Sequence, residues 1–103
     1  MSKFHNVPRR VDGILFHSGK EARRYQELKL LEQGGVISGL ELQKRFRLDV
    51  NGVHVCDYIC DFSFHDNERR LDVVEDVKGW RTEIYKFKKR LMLACLGIEV
   101  EET

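Results

Sequence analysis

The sequence predicts one small α/β domain in the order helix, strand, strand, strand, helix, strand. Its sheet is expected to be mixed, an antiparallel three-strand meander joined by a last strand and flanked by helices. Three observations predict this. Two segments repeat apolar residues at helical spacing, and each is closed by glycine. Between them lie alternating segments separated by tight-turn residues. A short apolar stretch after the second helix can add a strand beside the meander.

Residues 1–12 read as a loosely held arm and residues 13–103 as the folded domain. Ser18 to Gln33 reads as the first helix. Ser18 and Glu21 fit an S-x-x-E capping box, Ala22, Tyr25, Leu28 and Leu31 form its apolar stripe, and Gly34-Gly35 stops it. Leu40 to Val50 reads as a half-buried strand. Leu40, Leu42, Phe46, Leu48 and Val50 share one parity with Lys44 as the exception, and Glu41, Gln43, Arg45, Arg47 and Asp49 share the other. Asn51-Gly52 is a two-residue hairpin signal, and Val53 to Phe64 is the returning strand. A polar turn, His65 to Arg70, leads to a third strand, Leu71 to Lys78. Gly79 breaks it. Thr82 to Leu96 reads as the second helix, with Ile84, Phe87, Leu91 and Ala94 or Cys95 as its inner stripe. Gly97 ends it, and Ile98 to Glu101 is the last strand.

With 103 residues there is room for one modest core. Hydrophobic residues at 42% and charged residues at 34% fit a globular chain rather than a disordered one. No apolar run reaches the roughly 18 residues a membrane span needs, and Met1 to Arg10 lacks a secretory apolar stretch. Three cysteines argue against a disulfide framework, so a cytoplasmic setting is expected. His54, Cys56, Cys60 and His65 do not follow a standard zinc spacing.

Net charge is only +1, but its distribution is uneven. Residues 1–24 hold six bases against two acids, and residues 78–90 hold six bases against Glu83 alone. Residues 49–76 hold eight of the 17 acids. Such a chain suits a polyanion gripped at its flanks and a cation held in the middle.

Strand parity indicates which acids meet. Asp72, Val74, Asp76 and Lys78 point one way on the third strand. On the second strand Tyr58, Cys60, Phe62 and Phe64 form the core face, which leaves Asp61 on the other, able to lie beside Asp76. Two adjacent carboxylates repel unless a cation compensates. Mg²⁺ or Mn²⁺ takes such oxygen ligands, with Asp61, Asp76 and the Val77 carbonyl as the set. Lys78 adds a positive charge that can hold a water or the scissile phosphate. Glu21 shares the buried helix face with Tyr25 and Leu28, so it reads both as a cap and as a fourth member of the site. Glu75 points the opposite way. Gln43, on the polar face of its strand, and Arg81, Lys86, Lys88, Lys89 and Arg90 around the second helix are candidate DNA contacts.

At these residues the chain resembles the PD-(D/E)XK nuclease superfamily. Asp61 in "ICDF" matches the acid of the first catalytic strand, without the preceding proline. Asp76-Val77-Lys78 in "VVEDVKG" matches the (D/E)-x-K element, and Glu21 in "SGKEARRY" matches the first-helix glutamate of many members. Residues 13–101 look in particular like small phage-encoded nucleases akin to phage endonuclease I and other junction-resolving enzymes. The resemblance implies a Mg²⁺- or Mn²⁺-dependent endodeoxyribonuclease in phage replication, recombination or packaging within the host cytoplasm; branched or otherwise structured DNA is one candidate substrate, with flaps, nicked duplex and specific sequences equally open. It implies in-line attack by water that leaves a 5′-phosphate. Paired cuts would require a homodimer. The competing expectation is a DNA- or partner-binding module that keeps this fold without turnover.

Overall fold

The computed structural model describes residues 7–103. Residues 1–6 of the expected arm lie outside the described residues. The rest of the arm is ordered instead: Arg9–Val11 (β1) pairs antiparallel with Ile14–Phe16 (β2). Asp12 and Gly13 turn this hairpin at φ 53° and 75°, the left-handed pair that a two-residue turn demands. Phe16 is buried with its ring centroid 5.0 Å from that of Tyr25, and the Tyr25 hydroxyl donates to Asp12 at 2.9 Å. The hairpin is thereby fastened to the first helix.

That helix is Gly19–Gln33 (α1). Ser18 caps it, its Oγ accepting from the Glu21 N–H at 3.1 Å. Ala22, Tyr25 and Leu28 are buried along one face, as the spacing predicts.

Each of the two long strands expected next is broken in the middle. The first becomes Ile37–Leu42 (β3) and Arg45–Val50 (β4), and the second becomes Val53–Ile59 (β5) and Phe62–Asp66 (β6). β4 and β5 turn at Asn51-Gly52, both at positive φ (52° and 78°). β3 pairs with β6, with Leu42 opposite Phe62, while Arg45 stands opposite Ile59. The two breaks, Gln43-Lys44 and Cys60-Asp61, therefore face each other, and the whole is one long hairpin with a corner in it. Gln43 takes φ 57° at that corner. Its N–H donates to the Asp61 carbonyl at 3.2 Å, and the Cys60 N–H donates to the Lys44 carbonyl at 3.1 Å. Alternation does not reveal this corner because Leu42 and Phe46 keep the same parity across it.

Leu71–Asp76 (β7) pairs antiparallel with β6 and ends two residues before Lys78. Glu101–Glu102 (β8) lies parallel to its end, Glu75 opposite Glu101 and Asp76 opposite Glu102. The last strand thus falls later than Ile98–Glu101. The main sheet runs β3-β6-β7-β8 and is mixed, as expected. The β4-β5 ribbon and the β1-β2 hairpin flank it as separate two-stranded units.

Glu83–Leu96 (α2) is capped by Thr82, whose Oγ1 accepts from the Tyr85 N–H at 3.0 Å, and it is closed by Gly97 at φ 68°. Its inward face follows the expected stripe at Leu91 and Cys95, which pack against the core, but not at Ile84 and Phe87. Tyr85 and Met92 are buried, Leu91 and Cys95 are half-buried, Ala94 is exposed, and Ile84 and Phe87 are 69% and 54% exposed. Two apolar stripes run along this helix, and periodicity alone does not say which one packs. Tyr85 decides it: its ring lies beside Tyr58, centroids 6.4 Å apart, while its hydroxyl reaches Glu102 at 2.8 Å.

The sheet separates two cores. Phe16, Ala22, Tyr25, Leu28, Phe62 and Val73 pack on the α1 side. Leu48, Tyr58, Cys60, Val74, Met92 and Val100 pack between the sheet, the ribbon and α2. Among the described residues no helix is long and apolar enough to cross a membrane.

Candidate active site

The corner of the kinked hairpin places Asp61 immediately before β6, beside the end of β7. The Asp61 N–H donates to Asp76 Oδ1 at 2.9 Å. The Val77 N–H donates to Asp61 Oδ2 at 2.9 Å. Each aspartate is therefore held by the backbone of the other's strand. The same end of the sheet is tied down by the last strand: Thr103 N–H donates to the Asp76 carbonyl at 3.0 Å, and Lys78 N–H to the Thr103 carbonyl at 3.2 Å.

Asp76 is 1% exposed, and its Oδ2 is buried with no hydrogen-bond partner among the described residues. Burial pushes its pKa up to about 6, against the lowering effects of Lys78 and the Asp61 N–H. The Lys78 ammonium stands 4.0 Å from Asp76 Oδ1 and 4.2 Å from the centroid of the Tyr85 ring. That cation–π contact holds the ammonium at the carboxylate without a second counter-ion.

Glu21 joins them from α1. One carboxylate oxygen accepts from the His17 N–H at 3.0 Å, so it does cap the helix, one residue earlier than a standard capping box. It also lies against Asp61. Burial first, and then the Asp61 charge, raise its pKa. Cap and site member are the same side chain. Lys20, one residue before, donates its ammonium to the Lys78 carbonyl at 3.1 Å and closes α1 onto this loop.

Glu21 therefore lies against Asp61, and Asp61 is bonded to the Asp76 strand, at one end of the sheet, with the Lys78 ammonium beside Asp76. Among the described residues no three His, Cys, Asp or Glu side chains form a ready-made ion cage. The donors present are hard oxygens, and one of them, Asp76 Oδ2, is buried without a proton donor. Such a set fits Mg²⁺ or Mn²⁺ and does not suit a soft metal. The alternative sulfur and imidazole set is not assembled. Cys60 is fully buried and its thiol is pushed up to about 11 by burial. His54 pairs with Asp49 and Asp57, and His65 pairs with Asp72.

The remaining candidates divide. Glu75 does point away from Asp76, into the α1 core, where Arg24 clasps it at 2.6 and 2.8 Å. Gln43 is exposed, and it is its backbone that supports Asp61. Arg81 and Lys89 both pair with Glu102, at 2.6 and 3.2 Å, and Lys86 pairs with Glu83 at 2.9 Å. Lys88 and Arg90 have no carboxylate partner among the described residues. Glu102 belongs to this cluster although no motif marks it. Arg81 first, then the Tyr85 hydroxyl, hold its pKa down to about 2. Only the parallel register of β8 on β7 signals its place, because that register sets Glu102 opposite Asp76.

Fold and site together define a single-domain α/β protein with a buried carboxylate cluster and an adjacent lysine at one end of its sheet. A family model described as a protein of unknown function (DUF1064) matches residues 1–96, and the chain belongs to that family. No curated protein and no solved structure matches it.

Proposed function

We propose that this protein is a divalent-metal-dependent endodeoxyribonuclease that hydrolyses phosphodiester bonds in DNA. The observation that carries the reading is the meeting of Glu21, Asp61 and Asp76 at the hairpin corner, with one Asp76 oxygen unpartnered and the Lys78 ammonium 4.0 Å from the other. The order of acidic strand, D-V-K and basic helix, which the PD-(D/E)XK resemblance rests on, supports the same reading.

Asp61 and Asp76 would hold Mg²⁺ or Mn²⁺, with the Val77 carbonyl and Glu21 completing the set. When bound, the ion supplies charge neutralisation at the scissile phosphate and a more acidic water. The chain's own residues do the rest. The backbone clasp fixes both aspartates before substrate arrives, so little reorganisation is left for the reaction itself. Lys78, steadied by Tyr85, orients a water or a phosphate oxygen and stabilises the charge that grows on phosphorus oxygens. Lys88 and Arg90, without carboxylate partners among the described residues, can meet backbone phosphates. The bond formed is water oxygen to phosphorus, and the bond broken is phosphorus to the 3′ oxygen.

A cleavage panel tests this: single-stranded, duplex, flap and four-way-junction DNA with Mg²⁺, Mn²⁺ or chelator. Cleavage that needs the metal and disappears in Asp61→Asn and Asp76→Asn is expected. No cleavage of any DNA with either ion would leave a DNA- or partner-binding module as the better reading.

A further inference from the structure

Trp80 is the only tryptophan in the chain, and it is 84% exposed. It contributes almost nothing to either core. Only Gly79 separates it from Lys78, so its Cα lies within about 7 Å of the Lys78 Cα. A few residues further along the chain, α2 carries two more exposed apolar side chains, Ile84 and Phe87, three residues apart and so adjacent on the helix. Lys88 follows Phe87 directly, and Arg90 lies one turn on from it; both lack a carboxylate partner among the described residues.

An exposed aromatic surface bordered by cations calls for an occupant that is apolar on its faces and anionic along its length. A second copy of this chain does not meet that description. Lys88 and Arg90 on α2 have no carboxylate partner among the described residues, while Glu83 and Glu102 are already taken by Lys86 and Lys89, so two such helices laid together would bring unpaired like charges into contact. A nucleic-acid strand with unpaired bases does meet it: phosphates take the cations and a base takes the ring. Paired bases in a duplex present no free face.

We infer that Trp80 is a stacking platform for an unpaired nucleobase, so that the substrate carries a single-stranded segment beside the scissile phosphate. This rests on the nuclease reading for the phosphate next to Lys78, but the stacking can be measured without cleavage. Trp80 is its own reporter, because no other tryptophan contributes emission.

The experiment titrates the full chain, in chelator, with an oligothymidylate of about a dozen nucleotides and with a blunt duplex of similar charge. Binding and tryptophan emission are followed together. Emission should be quenched by the single strand and not by the duplex. Trp80→Ala should weaken single-strand binding by about 5- to 100-fold and leave duplex binding within about twofold. Trp80→Phe, which keeps an aromatic face, should recover most of the loss. Because the side chain is exposed, neither variant removes core packing. Unquenched emission, or equal losses on both DNAs, overturns the inference. So does emission that changes with protein concentration in the absence of DNA together with a doubled sedimentation mass, since the surface would then be a seam between copies. If the parent cuts no DNA with Mg²⁺ or Mn²⁺ yet shows the selective quench and loss, the platform stands and the nuclease reading falls. If the parent cuts DNA and Trp80→Ala binds single strands as the parent does, the platform falls and the nuclease reading stands.

Discussion

Glu75 and Asp76 are neighbours on β7, each about 1% exposed, and they differ in almost every other respect. Glu75 faces α1 and accepts from both Nε and Nη2 of the Arg24 guanidinium. Asp76 faces the other side, keeps one oxygen without a partner among the described residues and has its nearest ammonium at 4.0 Å. A buried charge without full compensation destabilises a fold. The first carboxylate is thus fully compensated within the fold and the second is not, which is the contrast that the proposed cation site draws on.

The largest effect should come from breaking the satisfied side. Arg24→Met leaves Glu75 buried and unpaired, and should lower stability by about 3–5 kcal/mol in urea denaturation. A loss below about 1 kcal/mol would mean that Glu75 reaches water or another partner easily, and the contrast with Asp76 would weaken.

Next is Lys78→Met, which keeps the apolar stem over Tyr85. DNA affinity should fall only slightly, while single-turnover cleavage should fall at least about a hundredfold, the size typical of losing one electrostatic catalytic group. Equal losses in binding and cleavage would make Lys78 a phosphate anchor.

The smallest effect belongs to the helix surface. Neutralising Lys86, Lys88 and Arg90 together should leave the fold intact, since Tyr85 and Met92 carry the packing of α2. The dependence of duplex affinity on salt should flatten by about 0.9 in log–log slope for each phosphate left without its cation. An unchanged slope would place the DNA on another surface.

Much of this is legible in the sequence, for identifiable reasons. Capping residues and Asn51-Gly52 are local signals, and the elements they mark are present in the fold, whereas Tyr58, Cys60, Phe62 and Phe64, expected on one core face, are divided by the corner: Tyr58 and Cys60 pack toward α2, and Phe62 and Phe64 toward α1. Parity correctly sets Glu75 and Asp76 on opposite faces and brings Asp61 beside Asp76. The corner at Gln43 and Asp61 is not legible, because the apolar alternation runs through it unbroken in the sequence although Leu42 and Phe46 pack into different cores on either side of it. The packing face of α2 is ambiguous because Ile84 and Phe87 make as good a stripe as Tyr85 and Met92, and only the long-range contacts of Tyr85 choose between them. The roles of Arg24 and Glu102 are hidden for the same reason: Glu75 lies 51 residues from Arg24, and the partners of Glu102 lie 13–21 residues away. Asp12-Gly13 is a hairpin signal of the same kind as Asn51-Gly52, and it turns what reads as a loose arm into β1 and β2.

The central claim is that Asp76 is held unsatisfied for a cation, and the stability of Asp76→Asn near pH 7.5 tests it most directly. Folding raises the Asp76 pKa to about 6 from an ordinary carboxyl value near 4. The folded state thus holds a proton that the unfolded chain releases, and this group's contribution to stability falls as pH climbs through that window. Above it, removing the charge should stabilise the metal-free protein by on the order of 2 kcal/mol, since Asn retains the oxygen that accepts the Asp61 N–H. Adding Mn²⁺ should then stabilise the parent and leave the variant unchanged. A variant less stable than the parent in chelator, and stabilised by Mn²⁺ just as the parent is, would contradict the account.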